Sequence, residues 1–139
     1  MPRTDRLSAG GVKLLTEPHL ANLVTLMADG SPQVSPVWVD VESDGSAILV
    51  NTADGRVKTN NAERDPRVAV SVVDGGNPWR YVLARGTIVE RRHEGADDHI
   101  DRLAKKYLGK EKYPFRRPDE RRVTLVIKPH HVSEMGTEG

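Results

Sequence analysis

A short basic turn is the part of the sequence whose residue types could do chemistry most directly. Arg56 and Lys58 flank the start of a predicted short helix, directly after Gly55 interrupts a predicted strand. The N-terminus of a helix offers unpaired N–H groups and the positive end of the helix dipole, and both favour a phosphate group. Arginine adds a planar fork of donors and lysine adds a point charge. The turn is therefore a candidate phosphate site, although a solvated basic turn that leads into a helix has the same composition.

Other polar clusters carry weaker signals. Thr59 and Asn61 could add neutral donors to the basic turn. His130 and His131 are adjacent, so on a strand they would point to opposite faces, and no acidic or histidine partner stands at metal-like spacing. We therefore expect no metal site, and we interpret the pair 121–122, two arginines, as charges that protect a sheet edge.

Periodicity and turn residues indicate the elements that must position the basic turn. Alternating apolar residues bounded by glycine, proline and aspartate predict strands over 20–27, 32–42, 47–51, 67–73, 79–91 and 122–127. The Asp-Gly pairs at 29–30 and 44–45 offer the positive φ angles of tight hairpins, so we expect the first three strands to form an antiparallel meander. Gly86 lies inside a predicted strand, where a bulge or a sharp bend is expected.

Helices are predicted over 8–17 with Ser8 as N-cap, over 57–64 and over 94–108, and the charged, proline-containing stretch 109–121 is predicted to be a loop. About six antiparallel strands with short helices predict a mainly β, α+β fold, in which the sheet closes or nearly closes into a barrel.

Composition limits the classes of function. The 139 residues fit a single domain over 1–139, and the net charge of +1 gives no overall field for nucleic acid. Aromatic residues make up only 4% of the chain, whereas single-strand binders stack bases on aromatic side chains. The chain contains no cysteine, which excludes disulfides and thiolate catalysis. We see no signal peptide and no apolar run long enough for a membrane span, and we expect a cytoplasmic protein.

The run from Gly55 to Val68, GRVKTNNAERDPRV, closely resembles a motif of the pyridoxamine 5'-phosphate oxidase-like split β-barrel superfamily. It is most similar to the branch that uses coenzyme F-420, a 5-deazaflavin, in which Arg-x-Lys-Thr-x-Asn followed by Arg-Asp-Pro-Arg is typical. Two further segments resemble the second and fifth strands of the family in the right order, namely 29–38 and 79–88. The resemblance covers residues 14–92 well and the terminal strand more loosely. It implies an FMN-binding-like split β-barrel.

The resemblance also implies which residues bind the cofactor. Arg56 and Lys58 would hold its phosphate, with Thr59 and Asn61 nearby. The ring would lie against the second and third strands, next to Gln33, Ser35, Val37, Asn51, Thr52 and Ala53. The family forms a homodimer with the cofactor in a cleft between protomers, so Trp79 could serve the partner's site. No catalytic acid or base is evident in the sequence.

The C-terminal segment departs from the vitamin B6 oxidases of the superfamily. Those enzymes end with a tryptophan and an arginine-rich segment, whereas this chain ends with KPHHVSEMG and a short tail. The difference favours an F-420-dependent oxidoreductase that acts on a small organic substrate, and a basic rim of Arg56, Lys58 and Arg64 would suit the acidic oligoglutamate tail of F-420. An FMN-binding oxidoreductase of the same fold and a non-catalytic F-420-binding or storage protein are the alternatives.

Overall fold

Turn residues divide the chain into short strands that pair into one sheet in the computed structural model, which describes residues 5–137. Within these residues the sheet has seven strands rather than the predicted six, and every neighbouring pair is antiparallel. The strands are β1 (Ala21–Leu26), β2 (Pro32–Val37), β3 (Val39–Val41), β4 (Ile48–Ala53), β5 (Arg67–Asp74), β6 (Asn77–Arg92) and β7 (Arg122–Met135). Their order across the sheet is β2-β1-β5-β6-β7-β4-β3.

Three helices complete the described part of the chain, and their ends follow the capping residues. They are α1 (Ala9–Thr16), α2 (Val57–Arg64) and α3 (Ala96–Leu108). Ser8 caps α1 as predicted, because its side chain accepts a hydrogen bond from the Gly11 N–H at 3.0 Å. Helix α3 starts two residues later than predicted, since Gly95 adopts a left-handed φ of 79° at the N-cap and breaks the helical backbone there. The stretch 109–121 is a loop, as predicted.

The predicted meander of the first three strands is wrong. The region 32–42 breaks at Trp38 into β2, which pairs with β1, and β3, which pairs with β4. These two strands form opposite edges of the sheet. Apolar alternation continues through the break, with Val37 and Val39 both buried, so periodicity alone could not reveal the change of partner. Because one residue separates the two edges, the sheet must curl on itself, and this curling produces the split barrel.

The barrel interior holds the hydrophobic core. Side chains from β1, β4, β6 and β7 meet there, including Leu23, Val50, Val82 and Leu125, all less than 2% exposed. Helix α1 packs against β3, β5 and β6, and α3 packs against β4 and β7. Among the described residues, no helix is long and apolar enough to cross a membrane.

Strand β7 is longer than predicted and runs past Pro129 to Met135. A proline cannot donate to the strand ladder, which is why the prediction ended at 127. The structure accommodates it with a bulge: Gly86 pairs with Pro129, Arg85 pairs with His131, and His130 is the extra residue. The predicted irregularity at Gly86 is therefore confirmed, and it lies opposite the proline.

Gly86 is expected to be essential for this bulge. A Cβ atom at this position would lie 2.1 Å from the backbone oxygen of Lys128. We expect Gly86→Ala to lower the free energy of unfolding by about 1–3 kcal/mol, the usual cost of overpacking, measured by denaturant unfolding. Gly75→Ala is the matched control, because the nearest atom to its Cβ would be 3.8 Å away. Equal losses in the two variants would contradict this account of the bulge.

Candidate functional site

The basic turn opens onto a cleft of about 340 Å³ at the seam where the sheet curls on itself. Four of the residues predicted from the sequence line it: Val37, Asn51, Arg56 and Lys58. The remaining lining residues come from the seam, from α3, from the loop 109–121 and from the first residue of β7, and they are Leu20, Pro36, Trp38, Ile100, Tyr113, Phe115 and Arg122. The cleft therefore combines a cationic end with an apolar and aromatic wall.

Arg56 and Lys58 stand at the N-terminus of α2, as the sequence predicted. Arg56 is the N-cap residue, and its Nη2 donates to Oε1 of Glu120 at 2.7 Å. Lys58 is half-buried, and no carboxylate among residues 5–137 lies within ion-pair distance of its ammonium. Burial lowers the pKa of Lys58, and the positive charges of Arg56 and Arg122 lower it further. The attraction of an anion in the cleft would offset these unfavourable effects on the charged lysine.

Thr59 and Asn61 lie on the barrel side of α2 and are both buried. The Thr59 hydroxyl donates to the Ala53 carbonyl oxygen at 2.7 Å, and the Asn61 amide donates to the Thr25 hydroxyl at 3.0 Å. Arg64 donates to the Asn61 side chain and to the Leu26 carbonyl oxygen. These hydrogen bonds hold α2 on the barrel and so fix the direction of the basic turn. Cofactor contacts by Thr59 and Asn61 remain a prediction.

The other predicted residues occupy three regions, on β2, β4 and β6. Gln33 and Ser35 lie on β2, where the Gln33 amide donates to the Ser35 hydroxyl at 2.9 Å and its oxygen accepts from Thr25 at 3.1 Å. Thr52 and Ala53 are buried at the end of β4 beside the basic turn. Trp79 is 75% exposed near the start of β6 and does not line the cleft of its own chain. Its predicted role in a partner's site remains a prediction.

An aromatic cluster that the sequence analysis did not assign forms one wall of the cleft. The Trp38 ring stacks on Tyr107 of α3, with centroids 5.1 Å apart, and meets Tyr113 edge-on at 5.9 Å. Phe115 packs edge-on against Tyr113 and is 64% exposed. The sequence gave no signal for this cluster, because Trp38 lies far along the chain from the other three residues and meets them only when α3 and the loop 109–121 pack at the seam.

Arg122 is the clearest departure from the sequence-based interpretation. It was expected to protect a sheet edge, but β7 lies between β6 and β4, and the Arg122 side chain is 3% exposed. Its Nε donates to Asn51 Oδ1 at 2.9 Å, its Nη1 donates to Glu120 at 2.6 Å, and its guanidinium lies 5.1 Å from the Tyr113 ring centroid. The interpretation was wrong because strand order is not visible in the sequence.

A buried histidine supports Asn51 from the other side. The Asn51 amide nitrogen lies 3.2 Å from His99 Nδ1 and donates to the Ala96 carbonyl oxygen at 2.8 Å. His99 Nε2 lies 3.1 Å from the Asp40 carboxylate. Burial raises the pKa of Asp40, but its hydrogen bonds to His99 and to the Val41 N–H, together with the charge of Lys106, outweigh burial, so the net pKa is lowered. His99 lies on the apolar face of α3, and in the sequence this position is the only sign that the histidine is buried.

A cluster of metal-ligating side chains lies elsewhere, at the C-terminal end of α1. Atoms of Glu17, His19 and Asp74 lie within 4.8 Å of one another. However, the Arg80 guanidinium donates to Glu17 at 2.7 Å and to Asp74 at 2.9 Å, and the Gly75 N–H donates to His19 Nδ1. A cation from the protein itself therefore already pairs with both carboxylates, and the cluster joins α1 to the β5–β6 hairpin.

The outer face of the sheet carries a second concavity, of about 490 Å³. Its floor is formed by apolar side chains of β1 and β5, including Val24 and Leu26, and its rim is basic. The rim residues are Arg67, Arg85, His130 and His131. Because His130 is the extra residue of the bulge, the two adjacent histidines border the same groove instead of being separated by strand alternation.

The curled antiparallel sheet with a basic turn at its seam defines a split β-barrel. The chain belongs to the pyridoxamine 5'-phosphate oxidase family, whose model matches residues 11–136. It is 32% identical over 130 residues to the F-420H(2)-dependent biliverdin reductase of Mycobacterium tuberculosis (strain CDC 1551 / Oshkosh), a match that covers 93% of this chain and 88% of the relative.

Two solved structures have the same fold. An F-420 reductase is 28% identical, with a TM-score of 0.78 over 91% of this chain and 98% of its own. General stress protein 26 from Bacillus anthracis is 16% identical, with a TM-score of 0.64 over 93% of each chain, and at that identity the likeness shows the fold alone.

Proposed function

We propose that this chain is an oxidoreductase that binds the deazaflavin coenzyme F-420 and transfers hydride between the coenzyme and a small organic substrate. The observation that carries the proposal is the half-buried Lys58, which lies beside two arginines in a cleft with an aromatic wall and has no carboxylate within ion-pair distance among residues 5–137. Such a site favours a ligand with an anionic group and a flat ring. The two relatives named for F-420 chemistry support the same conclusion.

The residues of the cleft fit a phosphate-bearing planar cofactor. Arg56 and Lys58 would hold the phosphate at the N-terminus of α2, where the helix dipole adds to their charges. Val37 and Asn51 would lie against the ring, together with the predicted neighbours Gln33, Ser35, Thr52 and Ala53. The deazaflavin supplies the hydride when it is bound, and the protein's contribution is to orient it and to exclude water.

The substrate would be an unsaturated or oxidised organic compound. Trp38, Tyr113 and Phe115 offer flat apolar surfaces at the cleft, which suit a conjugated molecule. The M. tuberculosis relative is named for a reductase activity on biliverdin, a conjugated tetrapyrrole, and we include tetrapyrroles with enones and quinones as candidate substrates.

Lys58→Ala is expected to weaken the binding of both F-420 and FMN by about 1.5–3 kcal/mol, the scale of a hydrogen bond to a charged group. Fluorescence titration with each cofactor measures the change. Lys105→Ala is the control, because Lys105 is an exposed α3 lysine paired with Glu111. The phosphate assignment is wrong if Lys58→Ala binds as tightly as the wild type.

F-420 and FMN should differ in their response to salt. Both carry a ribityl phosphate, but only F-420 carries an oligoglutamate tail, which the basic rim would attract. The Debye length falls from about 10 Å at 0.1 M salt to about 3 Å at 1 M. We therefore expect F-420 to bind more tightly than FMN at 0.1 M salt and to lose more affinity than FMN when the titration is repeated at 1 M. If FMN stays bound to the protein through purification and the protein has no affinity for F-420, the protein is an FMN enzyme. F-420 binding without reduction of any candidate substrate would favour a storage protein.

The protein is further proposed to act as a homodimer, with the cofactor cleft between protomers. The outer face of β1, β5, β6 and β7 supports dimerisation, since it combines the groove of about 490 Å³ with exposed apolar side chains such as Leu83, Val73 and Met135. Exposed apolar side chains that border a groove on one face of a sheet often mark a protein–protein interface.

Sedimentation at micromolar concentration tests the dimer and its face together. We expect a wild-type dimer and a monomer for Leu83→Glu, because a carboxylate buried at the interface would be unpaired. Leu108→Glu is the matched control, since Leu108 is 41% exposed against 43% for Leu83 but lies at the end of α3. A monomeric wild type would count against both the dimer and the shared cleft.

A further inference from the structure

A continuous chain of hydrogen bonds runs from the buried end of α3 to the exposed Arg56. Glu120 Oε1 accepts from Arg56 Nη2 at 2.7 Å and from Arg122 Nη1 at 2.6 Å. Arg122 Nε donates to Asn51 Oδ1 at 2.9 Å, and the Asn51 amide nitrogen lies 3.2 Å from His99 Nδ1. The chain joins β4, α3, β7 and the loop 109–121 to the turn before α2.

The direction of each hydrogen bond in this chain follows from its chemistry. An arginine can only donate, so the Asn51 oxygen must face Arg122 and its NH₂ group must face His99. His99 Nδ1 is then the acceptor, and its proton resides on Nε2, which donates to Asp40. The charged Asp40 therefore fixes the histidine tautomer, and the tautomer fixes the orientation of the Asn51 amide.

The Arg122 and Glu120 side chains are buried, whereas that of Arg56, which Glu120 holds, is exposed. The side chains of Arg122 and Glu120 are 3% and 6% exposed, whereas that of Arg56 is 43% exposed. Movement of Glu120 away from Arg122 would break a buried ion pair and leave the Arg122 guanidinium without this counter-charge, which is strongly unfavourable. Glu120 is therefore expected to stay in place when the cleft is occupied.

We propose that Glu120 is a positioning residue for ligand binding. It is held by Arg122, which Asn51 orients, and it fixes the Arg56 guanidinium for the phosphate of the ligand. Glu120 engages one nitrogen of Arg56, so most of the five N–H donors of the guanidinium remain available. Preorganisation of this kind reduces the side-chain entropy lost on binding. The inference rests on the proposed function, in which Arg56 binds the phosphate.

Glu120→Asp tests geometry without changing charge. The shorter side chain withdraws the carboxylate by one methylene, so it cannot hold Arg122 and Arg56 together. We expect F-420 and FMN each to bind about three- to tenfold more weakly, because one charge-assisted hydrogen bond is lost or lengthened, and the loss should be absent in an Arg56→Ala background. Glu111→Asp is the matched control, because Glu111 lies in the same loop and pairs with Lys105 away from the cleft.

Several outcomes would overturn the inference. Wild-type affinity in Glu120→Asp, together with weakened binding in Arg56→Ala, would show that Glu120 does not position Arg56. Tighter binding in Glu120→Asp would show instead that the carboxylate competes with the ligand. A loss that persists in the Arg56→Ala background would indicate a general structural role. Wild-type binding by both Arg56→Ala and Lys58→Ala would reject the phosphate assignment itself.

Arg122→Lys provides a second variant if circular dichroism shows that Glu120→Asp does not fold. Lysine keeps the positive charge but lacks the fork that joins Asn51 to Glu120. We expect Arg122→Lys to weaken F-420 and FMN binding by a similar factor, and we expect no such loss in an Arg56→Ala background. Unchanged affinity in this variant would contradict the positioning chain.

Discussion

The covalent chain at Trp38 imposes the constraint on which this fold depends. The strands on either side of this residue are the two edges of the sheet, so the edges cannot separate and the sheet cannot lie flat. The indole packs on Tyr107 and Tyr113, which brings α3 and the loop 109–121 to the same seam. The cleft lies there because the seam is the place where the strand ladder is interrupted and side chains fill the gap.

The electrostatics of the cleft follow from this closure. Arg56 and Lys58 come from the turn before α2, whereas Arg122 and Glu120 arrive from the far end of the chain. Three cations and one carboxylate share a partly desolvated space, where charge interactions are stronger than in water. Elsewhere, exposed ion pairs such as Arg92–Glu90 are ordinary surface contacts that contribute little to stability. The cleft thus carries an excess of positive charge, whereas the molecule as a whole is nearly neutral.

Buried polar groups form the support of the site. Asp40, His99, Asn51 and Arg122 are each hydrogen-bonded, and in a continuous series each group fixes the orientation of the next. A fully satisfied network of this kind specifies one arrangement of side chains, because any rotation leaves a buried donor or acceptor without a partner. Since one fold hosts many functions, the arrangement of these residues supports the proposed function more directly than the barrel does.

The sequence determined the local features of this protein. The residue types at 55–68 specify the basic turn and α2, Ser8 specifies the start of α1, and the Asp-Gly pairs specify the two hairpins, whose glycines have positive φ as expected. Each of these depends on contacts within a few residues. The tertiary structure alone decided how the two hairpins pair with the other strands of the sheet, because alternation reports the buried face of a strand and not its neighbour. It therefore separated β2 from β3, buried Arg122, and brought Glu120 to Arg56 across 64 positions of the chain.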